Sequence, residues 1–212
     1  MLENLKVLDF TTLLPGPYAT FLLASMGAKV TKVSAPGKID LVLESGPRAS
    51  TGETANRIWL HHNKDEIFVD LKNKEGLRKI LKLIESGQYN CIFEQFRPGV
   101  MDKLGLGYKT VKEIAPDIVY VSISGYGQEG EYAMRAGHDI NYLALSGNMS
   151  YSGREAFGPA LYGMQVADIA ASQNSVIGVL AAHNQRQLTG KGAHVDVAIL
   201  DSAIPFNAMS GV

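Results

Sequence analysis

At 212 residues and 46% apolar composition, the chain is long enough to bury a core and falls at the upper end of one ordinary domain, read here as a single unit over 1–212. Lys and Arg number 20 against 21 Asp and Glu, a net charge of -1 that offers no field to nucleic acid or an anionic membrane, so any anionic ligand must be gripped by a local site. A lone Cys91 excludes an internal disulfide framework and fits a reducing cytosol; no apolar run approaches the ~20 residues of a membrane span, and Met1 to Leu5 lacks the basic start of a signal peptide.

In chain order, residues 5–10 read as a short buried strand. Pro17 then sits where a helix begins, since its fixed φ and missing N–H suit the first helical position, and a helix over 17–26 ends at Gly27. The run Lys29-Val-Thr-Lys-Val alternates as a second strand, completing a β-α-β opening. Residues 35–65, rich in Pro, Gly, Ser and charge, form a long excursion with one short helix around Ala55 to Leu60.

Order resumes with a strand at 66–70 and a helix from Lys74 to Glu85, where Leu77, Ile80, Leu81 and Ile84 fall at helical spacing. A strand at 89–94, a helix at 109–115 and the β-branched strand from Ile118 follow. A helix near 139–146, a long helix of small residues from about 167 to 186, and a strand from His194 complete the pattern. Strands alternating with helices imply an α/β fold, a Rossmann-like, doubly wound, mostly parallel sheet. The segment from Asp201 runs to Val212 without a helix stop or polar tail, so a chain continuing into a second domain is expected.

Ligands of such sheets bind beyond the carboxyl ends of the strands, which directs attention to four segments. In Thr11-Thr-Leu-Leu-Pro15-Gly16-Pro17, Gly16 permits close approach of a ligand to the backbone, and a helix N-terminus offers free N–H groups to a phosphate; a plain strand-to-helix turn would look the same. G-x-G-x-x-G is absent, which disfavours NAD. In Glu94-Gln-Phe-Arg97-Pro-Gly, the planar guanidinium of Arg97 suits a phosphate or carboxylate, or is simply solvated. The loop from Gly125 to Gly130 is a lid or an ordinary turn. In Ala136-Gly-His138-Asp139, a histidine follows a glycine at a helix start, where His138 can serve as a base and Asp139 as a cap. Asp168, at the start of the small-residue helix, carries the same ambiguity between cap and catalyst. No histidine shows metal-ligand spacing with Cys or carboxylates, and Ser124 and Ser146 lack a nucleophile-elbow context, so no metal site is expected.

Taken together, these segments resemble, in order, the superfamily of family III CoA-transferases and α-methylacyl-CoA racemases. The resemblance rests on Leu5-Lys-Val-Leu-Asp-Phe-Thr with Pro15-Gly-Pro, Met26-Gly-Ala-Lys-Val-Thr-Lys-Val, and Val69-Asp-Leu-Lys-Asn-Lys-Glu-Gly. It continues through Arg97-Pro-Gly-Val-Met-Asp-Lys103-Leu-Gly-Leu-Gly-Tyr, Ser124-Gly-Tyr-Gly-Gln, Ala136-Gly-His-Asp-Ile-Asn-Tyr, Ala167-Asp168 and Leu188-Thr-Gly-Lys-Gly.

The resemblance implies a CoA-binding large domain, an interlaced homodimer, an acyl-CoA thioester as substrate with coenzyme A as part of it, and no permanently bound cofactor. It marks Pro15, Gly16, Arg97 and Lys103 as CoA-binding candidates. In the transferases the aspartate matching Asp168 attacks the thioester to give a mixed anhydride. In the racemases that aspartate and the histidine matching His138 exchange the α-proton from opposite faces. Because His138 stands where the formyl-CoA transferase branch resembles a tyrosine site, the expectation is a 2-methylacyl-CoA racemase-like enzyme with His138 and Asp168 as its bases and Asp139 orienting His138. A CoA-transferase working through Asp168, or a CoA-binding and dimerisation module without turnover, are the alternatives. Asp168-Ile-Ala-Ala-Ser departs from the glycine run that follows the aspartate in racemases.

Overall fold

The computed structural model describes residues 1–208. The segment 209–212, on which the expectation of a continuing chain partly rested, lies outside them. The described elements run β1 (Lys6–Asp9), α1 (Pro15–Ser25), β2 (Lys29–Ser34), α2 (Ala55–Leu60), β3 (Lys64–Phe68), α3 (Lys74–Glu85), β4 (Cys91–Glu94), α4 (Val100–Lys103), α5 (Tyr108–Ile114), β5 (Val119–Ser124), α6 (Asp139–Leu145), α7 (Val166–Thr189), β6 (Ala193–Ala198) and α8 (Ile199–Ala203). Short 3-10 turns at Asn148–Tyr151 and Ile204–Asn207 complete the list.

The strands form one sheet in the order β3-β2-β1-β4-β5-β6. Every pairing is parallel, so "mostly parallel" becomes wholly parallel among the described residues. This is the doubly wound order, and its direction of winding reverses between β1 and β4, which opens a crevice at their carboxyl ends. Strand β5, Val-Tyr-Val-Ser-Ile-Ser, is buried at every position because helices cover both faces. On one face α1, α6, α7 and α8 close a core around Val119, Val121, Ala167, Ala171 and Val179. The other face packs α3 and α5 over Ile80, Ile84, Val111 and Tyr120.

Local chemistry explains the helix starts. Asn73 caps α3 by accepting the Glu75 N–H at 2.9 Å, and Thr54 caps α2 by accepting that of Arg57 at 3.2 Å. Helix α7 can lie close to α1 because its inner face carries Ala167, Ala170, Ala171, Ser172 and Ser175. The Ser172 hydroxyl donates to the Pro15 carbonyl at 2.8 Å, tying the starts of the two helices together.

The edge beyond β1 is held by buried charge. Lys64 reaches from β3 to donate to the Pro17 carbonyl at 2.8 Å and Thr20 Oγ1 at 2.7 Å, and lies 3.5 Å from Asp9, with both charged side chains wholly buried. Burial pushes the Asp9 carboxyl up, but Lys32, Lys64 and the hydroxyls of Thr11 and Thr20 outweigh it and hold it at about 2.

Candidate active site

A cleft of about 1160 Å³ opens at the β1/β4 switch point. Its walls come from the segment before α1 (Leu13–Pro15), the loop after β4 (Gln95–Pro98), the loop after β5 with the approach to α6 (133–140), and the start of α7. Of the residues singled out in the sequence, Pro15, Arg97, His138, Asp139 and Asp168 all line it.

Gly16 and Lys103 do not. A Cβ on Gly16 would fall 2.2 Å from the Thr11 Cβ, so this glycine is required by packing within the turn rather than by approach of a ligand. Its N–H already donates to Gln95 Oε1 at 2.9 Å. The helix begins at Pro15 rather than Pro17, and its first turn has little to offer an anion: Pro15 and Pro17 carry no N–H, and Tyr18 donates to the Leu14 carbonyl. The expected phosphate cradle at this helix start is thereby corrected. Lys103 is the exposed last residue of α4, away from the cleft wall.

Asp168 is the third residue of α7, partly buried in the cleft wall. Burial, reinforced by the charge of Asp139, pushes its carboxyl up to about 7. Asp139 opens α6, but its carboxylate crosses to the other helix and accepts the Asp168 N–H at 3.0 Å. Its own carboxyl is raised by burial, against the pull of the Asp168 and Ala167 N–H groups. No hydrogen bond between Asp139 and the His138 ring exists among the described residues, so the expected orienting role gives way to a capping one across helices. His138 is the exposed N-cap of α6, with its backbone N–H donated to Asn141 Oδ1 at 2.9 Å, and it lines the cleft.

Both arginines of the cleft, Arg97 and Arg135, are exposed and lack an ion-pair partner among the described residues. Arg135 was not singled out from sequence. Two further features escaped that reading. Leu13, in the cleft wall, holds a left-handed backbone (φ 62°), with its N–H donated to Asp40 at 3.0 Å. Such a conformation is costly for a branched side chain and collects at functional loops. Glu94, buried at the end of β4, accepts the Phe96 N–H at 2.8 Å and so shapes the loop carrying Gln95 and Arg97. Burial raises its carboxyl to about 7, against hydrogen bonds from Ser122 and Phe96.

A doubly wound parallel sheet whose switch-point cleft is lined by an acid raised toward neutrality defines an α/β fold with a candidate active site. More particularly, the chain belongs to CoA-transferase family III, whose sequence profile matches residues 2–211. It is 36% identical over 203 residues to the succinyl-CoA:glutarate CoA-transferase of Homo sapiens, covering 96% of this chain and 46% of that protein. The succinyl-CoA:mesaconate CoA-transferase of Haloarcula hispanica is also 36% identical, over 211 residues, covering 96% and 52%. Among solved structures, a CAIB/BAIF family protein from Brucella suis superposes with a TM-score of 0.90 at 33% identity, over 98% of this chain and 55% of that one. The chain therefore spans about half the length of the curated relatives it matches.

Proposed function

We propose that the protein is a CoA-transferase that moves CoA from an acyl-CoA donor to a free carboxylate, with Asp168 as the covalent nucleophile. The observation that carries this reading is the setting of Asp168: a carboxyl raised to about 7 in the wall of a large cleft, so that near neutral pH it spends part of its time as a poorly solvated and therefore reactive carboxylate. The Homo sapiens and Haloarcula hispanica relatives, both named as CoA-transferases, support this chemistry over the racemase expected from His138.

The steps balance without any further reactant. An Asp168 oxygen attacks the donor thioester carbon, and CoA leaves as thiolate, giving an acyl-aspartyl anhydride. The thiolate returns to the aspartyl carbonyl, releasing the donor acid as carboxylate and leaving CoA on Asp168 as a thioester. An acceptor carboxylate then attacks that thioester, forming a second anhydride and freeing the thiolate again. Attack of the thiolate on the acceptor carbonyl yields the new acyl-CoA and restores Asp168. Arg97, on the loop after β4 and lining the cleft, is the residue we propose receives the anionic part of CoA.

Trapping tests this. The natural-length protein is mixed with acyl-CoA alone and treated with hydroxylamine, and peptide mass analysis should find Asp168 as its hydroxamate. With carboxylate present, CoA should appear on the acceptor, and Asp168→Asn should lose both signals. The second reading, α-proton exchange, keeps one observation in its favour, namely that His138 and Asp168 face the same cleft. Deuterium entering the α-carbon without any acceptor, with no hydroxamate formed, would establish it instead.

A further inference from the structure

Resting on the transferase reading, we propose that Arg135 binds the far carboxylate of the acceptor, so that the acceptors are short dicarboxylates rather than monocarboxylates. The reacting end of an acceptor must reach Asp168, and a second carboxylate then needs a cation within the same cleft. The two arginines that line it are Arg97 and Arg135, and neither meets an acid of the protein among the described residues. A guanidinium facing a cleft without a counter-charge is a ready partner for an anionic ligand.

Position separates the two arginines. Arg97 sits on the loop after β4, whereas Arg135 precedes His138 and Asp139 on the segment bound directly to the nucleophile's own helix through the hydrogen bond from the Asp168 N–H to Asp139. Four residues of chain limit the Cα separation of Arg135 and Asp139 to about 14 Å, and the long arginine side chain can close much of that gap.

Preorganisation is the stronger argument. The Arg135 guanidinium lies 3.8 Å over the centre of the Tyr132 ring. Tyr132 stands edge-on to Tyr126 at 5.7 Å, and Tyr126 edge-on to the buried Tyr142 at 5.3 Å. This aromatic ladder runs from the core of α6 to the cleft. It passes through space kept open by two glycines, since a Cβ on Gly125 or Gly137 would come within 2.5 Å or 2.8 Å of the Tyr142 side chain. Stacking occupies the face of the guanidinium and leaves its edge, where the N–H donors point, free to fork a carboxylate. It also removes rotamer freedom that an unsupported arginine would lose on binding. A merely solvated arginine needs no such support.

The test uses the natural-length protein, one donor, and two acceptors of equal chain length, glutarate and pentanoate. Because the aspartyl thioester divides the reaction, kcat/KM for the acceptor reports the second half alone. In the wild type glutarate should be preferred. Arg135→Gln should lower kcat/KM for glutarate roughly ten- to hundredfold, the worth of a charge-assisted pair, and leave pentanoate within about twofold. Arg135→Lys should fall between, and Tyr132→Leu, which removes the stacking platform, should move the ratio in the same direction. Arg97→Gln should change the donor's kcat/KM without changing the glutarate-to-pentanoate ratio. An equal loss on both acceptors in Arg135→Gln, or no wild-type preference for glutarate, overturns the proposal while transfer itself stands. Absence of transfer to any carboxylate overturns it together with the transferase reading.

Discussion

Replacing Asp168 with asparagine should abolish transfer and also stabilise the fold at neutral and alkaline pH. The carboxyl is raised from its ordinary 3.8 to about 7, chiefly by burial and secondarily by Asp139. The folded state therefore holds a proton on Asp168 over a range in which the unfolded chain has already released it. Stability is unaffected by this group below about pH 4, falls as pH rises from there to about 7, and stays reduced above that. A displacement of this size corresponds to at most about 4 kcal/mol, of which partial access to water in the cleft leaves roughly 2 to 3 kcal/mol. Asparagine is nearly isosteric and carries no charge, so Asp168→Asn should recover that amount at pH 8 and none of it at pH 4. For a domain of this size, recovery amounts to a rise in Tm of roughly 5 to 10 °C. Thermal unfolding of wild type and variant at pH 4, 6 and 8 reads the difference directly. A variant less stable than wild type at pH 8, or a difference that does not change with pH, would refute the argument that Asp168 is a strained, desolvated acid.

Three further outcomes follow from the same geometry. The rate of the donor half-reaction should rise with pH and level off above about 7 as Asp168 ionises, and Asp139→Asn, which keeps the acceptor for the Asp168 N–H while removing the charge, should move that midpoint to lower pH by only part of the elevation, burial being the larger cause; rapid-quench measurement of the donor acid released measures it. Gly16→Ala, which drives a methyl against Thr11, should destabilise by about 1–3 kcal/mol in urea titration without a selective loss of CoA affinity. Lys64→Met should cost about 2–3 kcal/mol in the same assay, because it removes one of the two lysines that balance the buried Asp9 carboxylate, leaving Lys32 with the Thr11 and Thr20 hydroxyls.

Much of the fold was legible because its signals are local. The periodicity of Leu77, Ile80, Leu81 and Ile84 delimits α3 at its observed ends, and the β-branched run from Ile118 reads as the central strand that β5 is. Where boundaries moved, tertiary contacts moved them. Strand β3 starts at Lys64 rather than 66 because Val30 pairs with Lys64 and the buried Lys64 side chain is wanted beneath α1. Charge in Lys64-Asp65 reads as loop, yet Lys64 is buried by Asp9, and Glu66, the first residue of the expected strand, is held by Arg57 at 2.7 Å. Helices α4 and α8 are too short to carry a period, and neither was expected.

From the residue patterns alone the candidate site was legible only as separate residues, and it was the family resemblance that paired His138 with Asp168. His138, Asp139 and Asp168 each look like helix-start residues, and a helix N-terminus ordinarily favours an ionised carboxylate, which would make Asp168 an unremarkable acid. What changes its character is the approach of α6. Asp139 takes the Asp168 N–H for itself, so the donor that would have stabilised charge near the start of α7 serves the neighbouring carboxylate instead. Asp168 is left with burial and a like charge, both of which oppose its ionisation. One aspartate acting as a cap is thus part of the reason the other carboxyl is held near neutrality. That relation spans 29 residues of sequence, and no pattern within either helix encodes it.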